Sequence, residues 1–188
     1  WKFHYARNYG SAIPGFEKEE YCCRDWDDIR VPAHIQMEGY DAPQYANVQY
    51  PWEGHEDIHP GEIPEHFNPV ASYVKYFEVP KEMQGKRLFI SFQGAESGIA
   101  LWLNGHFVGY SEDSFTPSEF ELTEYVKEGE NKNDVLDGLI GILPVVSRPH
   151  PVVERDEGSE DDFVCNEFPQ SDFFHGGPSF RFCCLKAE

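Results

Sequence analysis

The stretch GIALWLNGHFVGYS, residues 98–111, constrains the fold more than any other part of this chain. Two short runs rich in apolar residues flank Asn104 and Gly105. Both central positions of a type I′ turn need positive φ, which Asn and Gly tolerate best, so the stretch predicts a β-hairpin. A polar segment follows and ends at Phe120 and Leu122. We expect it to form a loop at the rim of a sheet, where binding surfaces are built, before the chain re-enters the core.

The remaining periodicity also indicates β-strands. WKFHYA (residues 1–6), ASYVKYFEV (71–79) and KRLFISFQG (86–94) alternate apolar and polar positions and are rich in aromatic or branched side chains. Residues 27–35 predict a short strand broken by Pro32, residues 118–126 one helical turn, and residues 127–131 a turn. Many short strands separated by turn signals predict an all-β protein with a β-sandwich or jelly-roll fold.

The charge of the chain excludes two classes of partner. The 188 residues include 34 acidic and 15 basic side chains, for a formal net charge of -19. Such a field repels nucleic-acid phosphates and anionic membrane surfaces, and no apolar run is long enough to span a membrane. We therefore expect no nucleic acid and no membrane as partners. The chain starts at Trp1 without a Met, which we interpret as a fragment whose natural N-terminus is missing.

The cysteines allow two interpretations. Vicinal pairs and an odd count make a poor disulfide framework. A four-thiolate zinc site would require the two pairs to meet, although zinc ligands are usually spaced by two to four residues. Reduced thiols in a cytoplasmic protein are the simpler interpretation. The cysteines are Cys22, Cys23, Cys165, Cys183 and Cys184.

A long connection at residues 36–70 holds five prolines and almost no strand pattern. Loops of this length in compact domains are often functional, and this one is rich in residues that stack on sugar rings or bond to hydroxyl groups. It also contains possible metal ligands, but no helical face organises them, so a solvated acidic loop is the simpler interpretation. These candidates are His55, Glu56, Asp57, His59 and His66.

Three further groups of residues have side chains that could take part in chemistry. The carboxylates around Trp26 are most simply exposed charges beside one buried aromatic ring. Two serines have acids nearby but no histidine in register and no G-x-S-x-G motif, so serine hydrolysis is unsupported. Trp102 alternates with leucines in a strand and is expected to pack rather than to bind sugar. The carboxylates are Asp25, Asp27 and Asp28, and the serines are Ser111 and Ser114.

Three long motifs carry a resemblance to a known family. They are VPAHIQMEGYDAPQYANVQYPW (residues 31–52), NPVASYVKYFEVP (68–80) and ISFQGAESGIALWLNGHFVGYSEDSFTPSEFELTEYVKEGEN (90–131). Over residues 1–132 the chain resembles the N-terminal sugar-binding domain of family 2 β-galactosidases. The resemblance implies a galactose-binding-domain-like jelly-roll sandwich that precedes an immunoglobulin-like domain and a TIM barrel. The parent enzyme would hydrolyse terminal non-reducing β-D-galactose residues in β-galactosides such as lactose, with retention.

The resemblance also sets the expected site. The family's acid/base and nucleophile are glutamates on barrel strands, so no catalytic residue is expected in this chain. Asn47 in YANVQYPW stands at the family's substrate-contacting asparagine, and an amide can donate to one sugar hydroxyl and accept from another. From spacing alone, Asn47 as a turn residue remains an open alternative. The resemblance implies magnesium and sodium ions and a homo-oligomer for the parent enzyme, but no cofactor in this chain.

The resemblance ends after Asn131. GSEDDF (residues 158–163) echoes the family's sodium-binding acidic motif only loosely, so Asp161 and Asp162 are assigned no metal role. We therefore predict a sandwich at residues 1–132 and a divergent tail at residues 133–188. In that tail the apolar run at 135–146 is expected to supply a closing strand, with residues 147–188 poorly ordered. A free-standing carbohydrate-binding module and a truncated fragment without activity remain the alternative functions.

Overall fold

The computed structural model describes residues 1–42, 52–59, 62, 64–96, 98–112, 114–138, 179–180 and 183–187. These residues form β-strands joined by turns and two short 3-10 helices, Tyr9–Ser11 and Lys81–Met83, without an α-helix in the described ranges. The strands are β1 (Lys2–Ala6), β2 (Asp27–Asp28), β3 (Ala33–His34), β4 (Val70–Glu78), β5 (Leu88–Phe92), β6 (Gly98–Leu103), β7 (His106–Ser111), β8 (Ser118–Glu121), β9 (Glu130–Gly138), β10 (Ser179–Phe180) and β11 (Cys183–Ala187).

The larger sheet has six antiparallel strands in the order β2-β1-β4-β9-β6-β7. Its register aligns Phe3, Tyr73, Val135 and Leu101 in one row across four strands. All four side chains are buried at 1% exposure or less. Because successive strand residues point to opposite faces, this row fixes which face of each strand meets the core.

A second sheet has the order β11-β5-β8, and β10 pairs separately with β3. The inward residues of β5, Leu88, Ile90 and Phe92, join one hydrophobic cluster with the row just described. That cluster contains residues from both sheets, so the main core lies between two layers, as in a β-sandwich. Leu122 closes the core where the chain returns after β8.

The outer face of the six-stranded sheet is also covered. The segment at residues 12–26, called here the strap, packs Phe16 and Cys23 against Val74 and Leu136. Two ion pairs fasten it: Arg24 to Glu130, and Lys127 to Glu19. The six-stranded sheet is therefore buried on both faces over its middle strands.

The all-β sandwich and its hairpin are confirmed. Asn104 has φ 51° and Gly105 has φ 83°, so both turn residues adopt the positive φ that a type I′ turn requires. The interruption at Pro32 is confirmed too, because β2 and β3 lie on either side of it and in different sheets. Val126 N–H bonds to Leu122 O at 3.2 Å, which gives the predicted single helical turn, but only after β8 has ended.

The expectations for the C-terminal part need correction. The predicted turn at residues 127–131 is wrong at its end, because β9 already begins at Glu130. The sequence-based boundary between residues 132 and 133 therefore falls inside β9. Residues 135–138 of the expected closing run lie in this central strand, because its backbone pairs with β4 on one side and β6 on the other. Residues 139–146 lie outside the described residues.

The expectation of poor order throughout residues 147–188 is also wrong for the last strand. Cys183–Ala187 forms β11 and pairs with β5 in antiparallel register. It covers the edge of β5, the place where the run at 135–146 was expected to supply the closing strand, and Ile90 and Phe92 are buried at 3% and 1% exposure. An unpaired strand edge exposes N–H and C=O groups that can pair with another strand. Here β11 of the same chain pairs with the edge of β5.

Candidate functional site

One end of the sandwich gathers the loops that could form a binding surface. Val70 starts β4 and pairs with Ala6, which ends β1, and with Gly138, which ends β9. Gly138 in turn pairs with Gly98, which starts β6. This register brings the segments at 7–11, 64–69, 94–96, 112 and 114–117 to the same end, called here the rim.

Glu56 organises the part of the long loop that the structure describes. Its carboxylate accepts hydrogen bonds from the backbone N–H groups of Glu65 at 2.9 Å, His66 at 2.9 Å and Phe67 at 3.2 Å. Loss of hydration acts to raise the pKa of Glu56, but the three N–H donors outweigh it and hold the pKa below its ordinary value. The carboxylate therefore ties the loop to the segment that enters β4.

The possible metal ligands of this loop have other partners. The His55 ring stacks on Phe67 with centroids 3.9 Å apart and planes 9° apart. His59 lies 3.2 Å from the Glu62 carboxylate through Nδ1, and its backbone N–H also donates to Glu62. Within the described ranges, no three His, Cys, Asp or Glu side chains converge to hold a metal ion. The structure thus shows Glu56 as an anchor of the loop, with His55 packed on an aromatic ring.

The loop after the hairpin begins and ends on paired serines. Ser111 Oγ and Ser118 Oγ lie 2.7 Å apart, at the last residue of β7 and the first of β8. Phe115 between them has 78% of its surface exposed, the most among the large hydrophobic residues described. The loop therefore crosses from one sheet to the other at the rim and presents an aromatic ring there. Ser114 lies in the same crossing.

The re-entry of the chain at Phe120 depends on Gly109. A Cβ atom at residue 109 would lie 2.4 Å from Cδ1 and 2.5 Å from Cε1 of the Phe120 ring. The Phe120 ring thus occupies the space that any larger residue in β7 would need. This contact joins the two sheets directly below the loop.

The outer aromatic residues pack as the sequence suggested. Trp102 contacts Phe16 and Phe107 edge-on, with ring centroids 6.3 and 5.6 Å away, which confirms a packing role beneath the strap. Trp26 packs on His4 and is partly buried, while Asp25, Asp27 and Asp28 are exposed. Asp28 pairs with Lys2 at 2.8 Å.

The two cysteine pairs belong to different layers. Cys22 and Cys23 lie in the strap on the outer face of the larger sheet, and Cys183 and Cys184 belong to β11 of the other sheet. The backbone positions of the two pairs therefore lie in separate layers and give no support to a four-thiolate site. Burial raises the pKa of the Cys23 thiol to about 11, which keeps it protonated at neutral pH.

Four residues considered from the sequence lie outside the described residues. These are Asn47, Asp161, Asp162 and Cys165. The role of Asn47 thus stays a prediction. The described end of its loop, residues 64–69, reaches the rim, and the Asn8 amide approaches the His66 carbonyl to 3.5 Å there.

Sequence reasoning missed the anchoring role of Glu56. Its partners lie nine to eleven residues away in a segment without strand or helix periodicity, so no spacing rule points to them. The five prolines of the loop indicate only that it lacks regular backbone pairing, so side chains must supply hydrogen-bond partners for its backbone groups.

A half-open cavity of about 460 Å³ lies at the opposite end of the sandwich, between the end of β4 and the start of β5. Arg87 lines it, but its guanidinium is already paired with the Glu121 carboxylate at 3.0 Å. Thr123 also lines it, and its hydroxyl accepts from Leu88 N–H and donates to Glu121. Because these polar groups satisfy one another, the rim is the better candidate for binding.

The sequence pattern decides the family. Residues 1–138 match the model of the sugar-binding domain of the glycosyl hydrolases family 2. This chain belongs to glycosyl hydrolase family 2. The match ends at Gly138, the last residue of β9, so the family domain and the described six-stranded sheet end at the same residue.

Sequence relatives and one solved structure are similar to this chain, and the structure bears on the fold alone. The chain is 59% identical over 132 residues to a β-galactosidase of Halalkalibacterium halodurans, covering 70% of this chain and 13% of that protein. It is 53% identical over 132 residues to a β-galactosidase of Clostridium acetobutylicum, covering 70% and 15%. A crystal structure of a family 2 member from Bacteroides cellulosilyticus shares the fold, with a TM-score of 0.55, 17% identity, and coverage of 98% of this chain and 19% of that one.

The chain thus spans only about an eighth of the Halalkalibacterium relative. Among the residues that the structure describes, no helix is long and apolar enough to cross a membrane. The family 2 sugar-binding domain, with its loops gathered at the rim, is what the sequence and structure together establish.

Proposed function

We propose that this chain is the sugar-binding domain of a β-galactosidase that hydrolyses terminal non-reducing β-D-galactose residues in β-galactosides such as lactose, with retention. The observation that carries the proposal is the 59% identity over 132 residues to a β-galactosidase. The family match over residues 1–138 includes the rim loops and the YANVQYPW segment, and loops held by a rigid scaffold are where binding residues concentrate.

The domain's part in the reaction is to bind and orient the sugar. Retaining hydrolysis uses two carboxyl groups about 5–5.5 Å apart on either side of the glycosidic bond. We assign those groups to the catalytic domain of the complete enzyme and assign Asn47 to a sugar hydroxyl. An amide held on a rigid sandwich positions the sugar, and positioning contributes to the rate without any proton transfer.

The rim supplies the rigidity that such a loop needs. Glu56 fixes the returning half of the loop through three backbone N–H groups, and β4 continues from it into the centre of the sheet. Anchoring a loop at its base reduces the conformational entropy lost on binding.

A chimera tests this proposal. Residues 1–132 replace the matching segment of the Halalkalibacterium halodurans enzyme, and hydrolysis of lactose and of a chromogenic galactoside is measured. We expect activity with the stereochemistry of retention. A chimera that folds and assembles normally but hydrolyses no β-galactoside would overturn the proposed function.

Asn47→Ala in the active chimera tests the assigned contact. Loss of one hydrogen bond to a neutral hydroxyl removes about 0.5–1.5 kcal/mol, so kcat/KM is expected to fall by about two- to tenfold with an unchanged Tm. Glu53→Ala, an exposed change in the same loop, serves as the matched control and leaves both values unchanged. Unchanged kinetics with a lowered Tm would show instead that Asn47 only stabilises a turn.

A further inference from the structure

Strand β9 carries ionisable residues into both cores of the sandwich. Asp137 and Asp134 each have 0% of their surface exposed. Asp137 pairs across the sheet with Ala71 on one side and Ile99 on the other. Carboxylates are almost never buried among apolar neighbours unless they are paired, so the centre of this sheet is an unusual place for them.

Asp137 has no hydrogen-bond partner among the described residues. Both of its carboxyl oxygens are buried without a donor in those ranges. The ionisable groups that face it are Tyr73 on β4 and Glu96 in the β5–β6 connection. Burial raises the pKa of Asp137 well above its ordinary value, and the negative charge of Glu96 raises it further.

Asp134 is buried on the opposite face with a cationic partner. Its Oδ1 lies 2.9 Å from Lys132 Nζ, which also bonds to the carbonyl oxygens of Phe16 and Lys18 in the strap. Burial raises the pKa of Asp134 to about 7, Lys132 opposes the rise, and Glu17 adds to it. The Cys23 thiol is the other ionisable group that faces Asp134.

We propose that β9 is a proton-controlled latch, which holds its central place between β4 and β6 most firmly when the buried carboxyl group of Asp137 is uncharged. A neutral carboxyl group in an apolar row loses far less hydration than a carboxylate does. β9 ends at Gly138, at the rim that carries the candidate site.

The sign of the pH dependence follows from linkage. Both groups bind a proton more tightly in the folded chain than in the unfolded chain, so their stabilisation is fully present below the unfolded pKa of about 4. It is lost as the pH rises toward the folded pKa, which for Asp134 is about 7. Glu121, whose pKa is lowered mainly by its hydrogen bond from Arg87, has the opposite trend and loses its stabilisation only as the pH falls below its ordinary range.

Thermal unfolding of the 188-residue chain from pH 4.5 to 8 tests the latch. We expect the Tm to fall by about 10 °C between pH 5 and pH 7.5, because the folded chain loses the stabilisation of a protonated buried carboxyl group as the pH rises. Asp137→Asn removes the charge with little change in shape, and Asp137→Val replaces it with a strand-forming apolar residue. Both variants are expected to raise the Tm at pH 7.5 and to flatten its fall by half or more.

Asp25→Asn is the matched control, because Asp25 is exposed, and it should leave the pH profile of the parent chain unchanged. A parent Tm that is flat or rises from pH 5 to pH 7.5 would overturn the proposal. So would a parent chain that is unfolded at every pH. Variants at residue 137 whose Tm falls with pH as steeply as the parent's would show that the Asp137 charge does not cause the pH dependence. Variants that fail to fold where the parent folds would show the same.

Discussion

Asn104 combines a backbone requirement with a side-chain network. Its φ of 51° places it in the left-handed region, and its amide donates to Tyr125 O at 2.9 Å and to Asn131 Oδ1 at 2.8 Å. Its Oδ1 accepts from Lys132 N–H at 2.9 Å. Asn131, which is fully buried, in turn accepts from Lys127 N–H. The hairpin turn is thereby fixed to the start of β9.

Two substitutions separate these roles. Asn104→Gly keeps the positive φ but removes the amide, and leaves its buried partners unsatisfied, so we expect the free energy of unfolding to fall by about 1–3 kcal/mol. Asn104→Ala also forces a residue with a Cβ into the left-handed region and is expected to lose about 1 kcal/mol more. Urea unfolding monitored by tryptophan fluorescence measures both. Equal stability of Asn104→Gly and the parent would show that the network makes no net contribution.

At the scale of single residues, the sequence predicts local backbone conformation but misses hydrogen bonds between residues that are far apart in the chain. Asn104 and Gly105 identify the turn because the needed φ values depend on those two residues alone. The bond from Asn104 to Asn131 joins residues 27 apart, and Asn131 looked like an ordinary turn residue. The same holds for Glu56, whose three backbone partners cannot be found without the folded loop.

Among the elements, the connection from β7 to β8 depends on one glycine. The Phe120 ring fills the place of a side chain at residue 109, and the Ser111–Ser118 contact closes the base of the loop above it. Because a packed interior resists added atoms, the two sheets can approach here only with glycine in β7.

Gly109→Ala is therefore expected to lower the free energy of unfolding by about 1–3 kcal/mol, because the added methyl group pushes the Phe120 ring out of its position. Gly10→Ala is the matched control, since its Cβ would meet only the Asn8 Oδ1 at 3.7 Å. Urea unfolding at one pH compares the two variants with the parent. A Gly109→Ala chain as stable as the Gly10→Ala chain would mean that the ring moves without loss.

The elements also show where periodicity fails as a guide. Strands such as β4 and β5 were predicted from alternation, because their apolar residues face a core. β9, ENKNDVLDG, has no such alternation, yet it is central, because its backbone groups complete the ladders of both neighbours. Backbone hydrogen bonds to both neighbours hold a polar segment where an apolar strand would be expected. The composition of β9 therefore does not indicate its central position in the sheet.

For the whole molecule, fold and family are established, while the β-galactosidase activity is a proposal. Motifs spread over residues 31–131 indicated the sandwich before its strands were seen, because several long motifs in order are more specific than any single pattern. The site was less predictable. The predicted role of Asn47 rests on the resemblance, and Asn47 lies outside the described residues. The rim is defined only by the strand register, which the sequence does not show.

We expect a polypeptide of residues 1–188 alone to have no β-galactosidase activity. Retaining hydrolysis needs two carboxyl groups facing one substrate-sized cleft about 5–5.5 Å apart. The buried carboxyl groups described here, Asp134 and Asp137, point to opposite faces of one strand inside packed layers, where no sugar can enter. A chromogenic galactoside assay on the purified chain, run beside a heat-denatured sample, checks this. Turnover clearly above that control would contradict it and would place a catalytic carboxyl pair within these 188 residues.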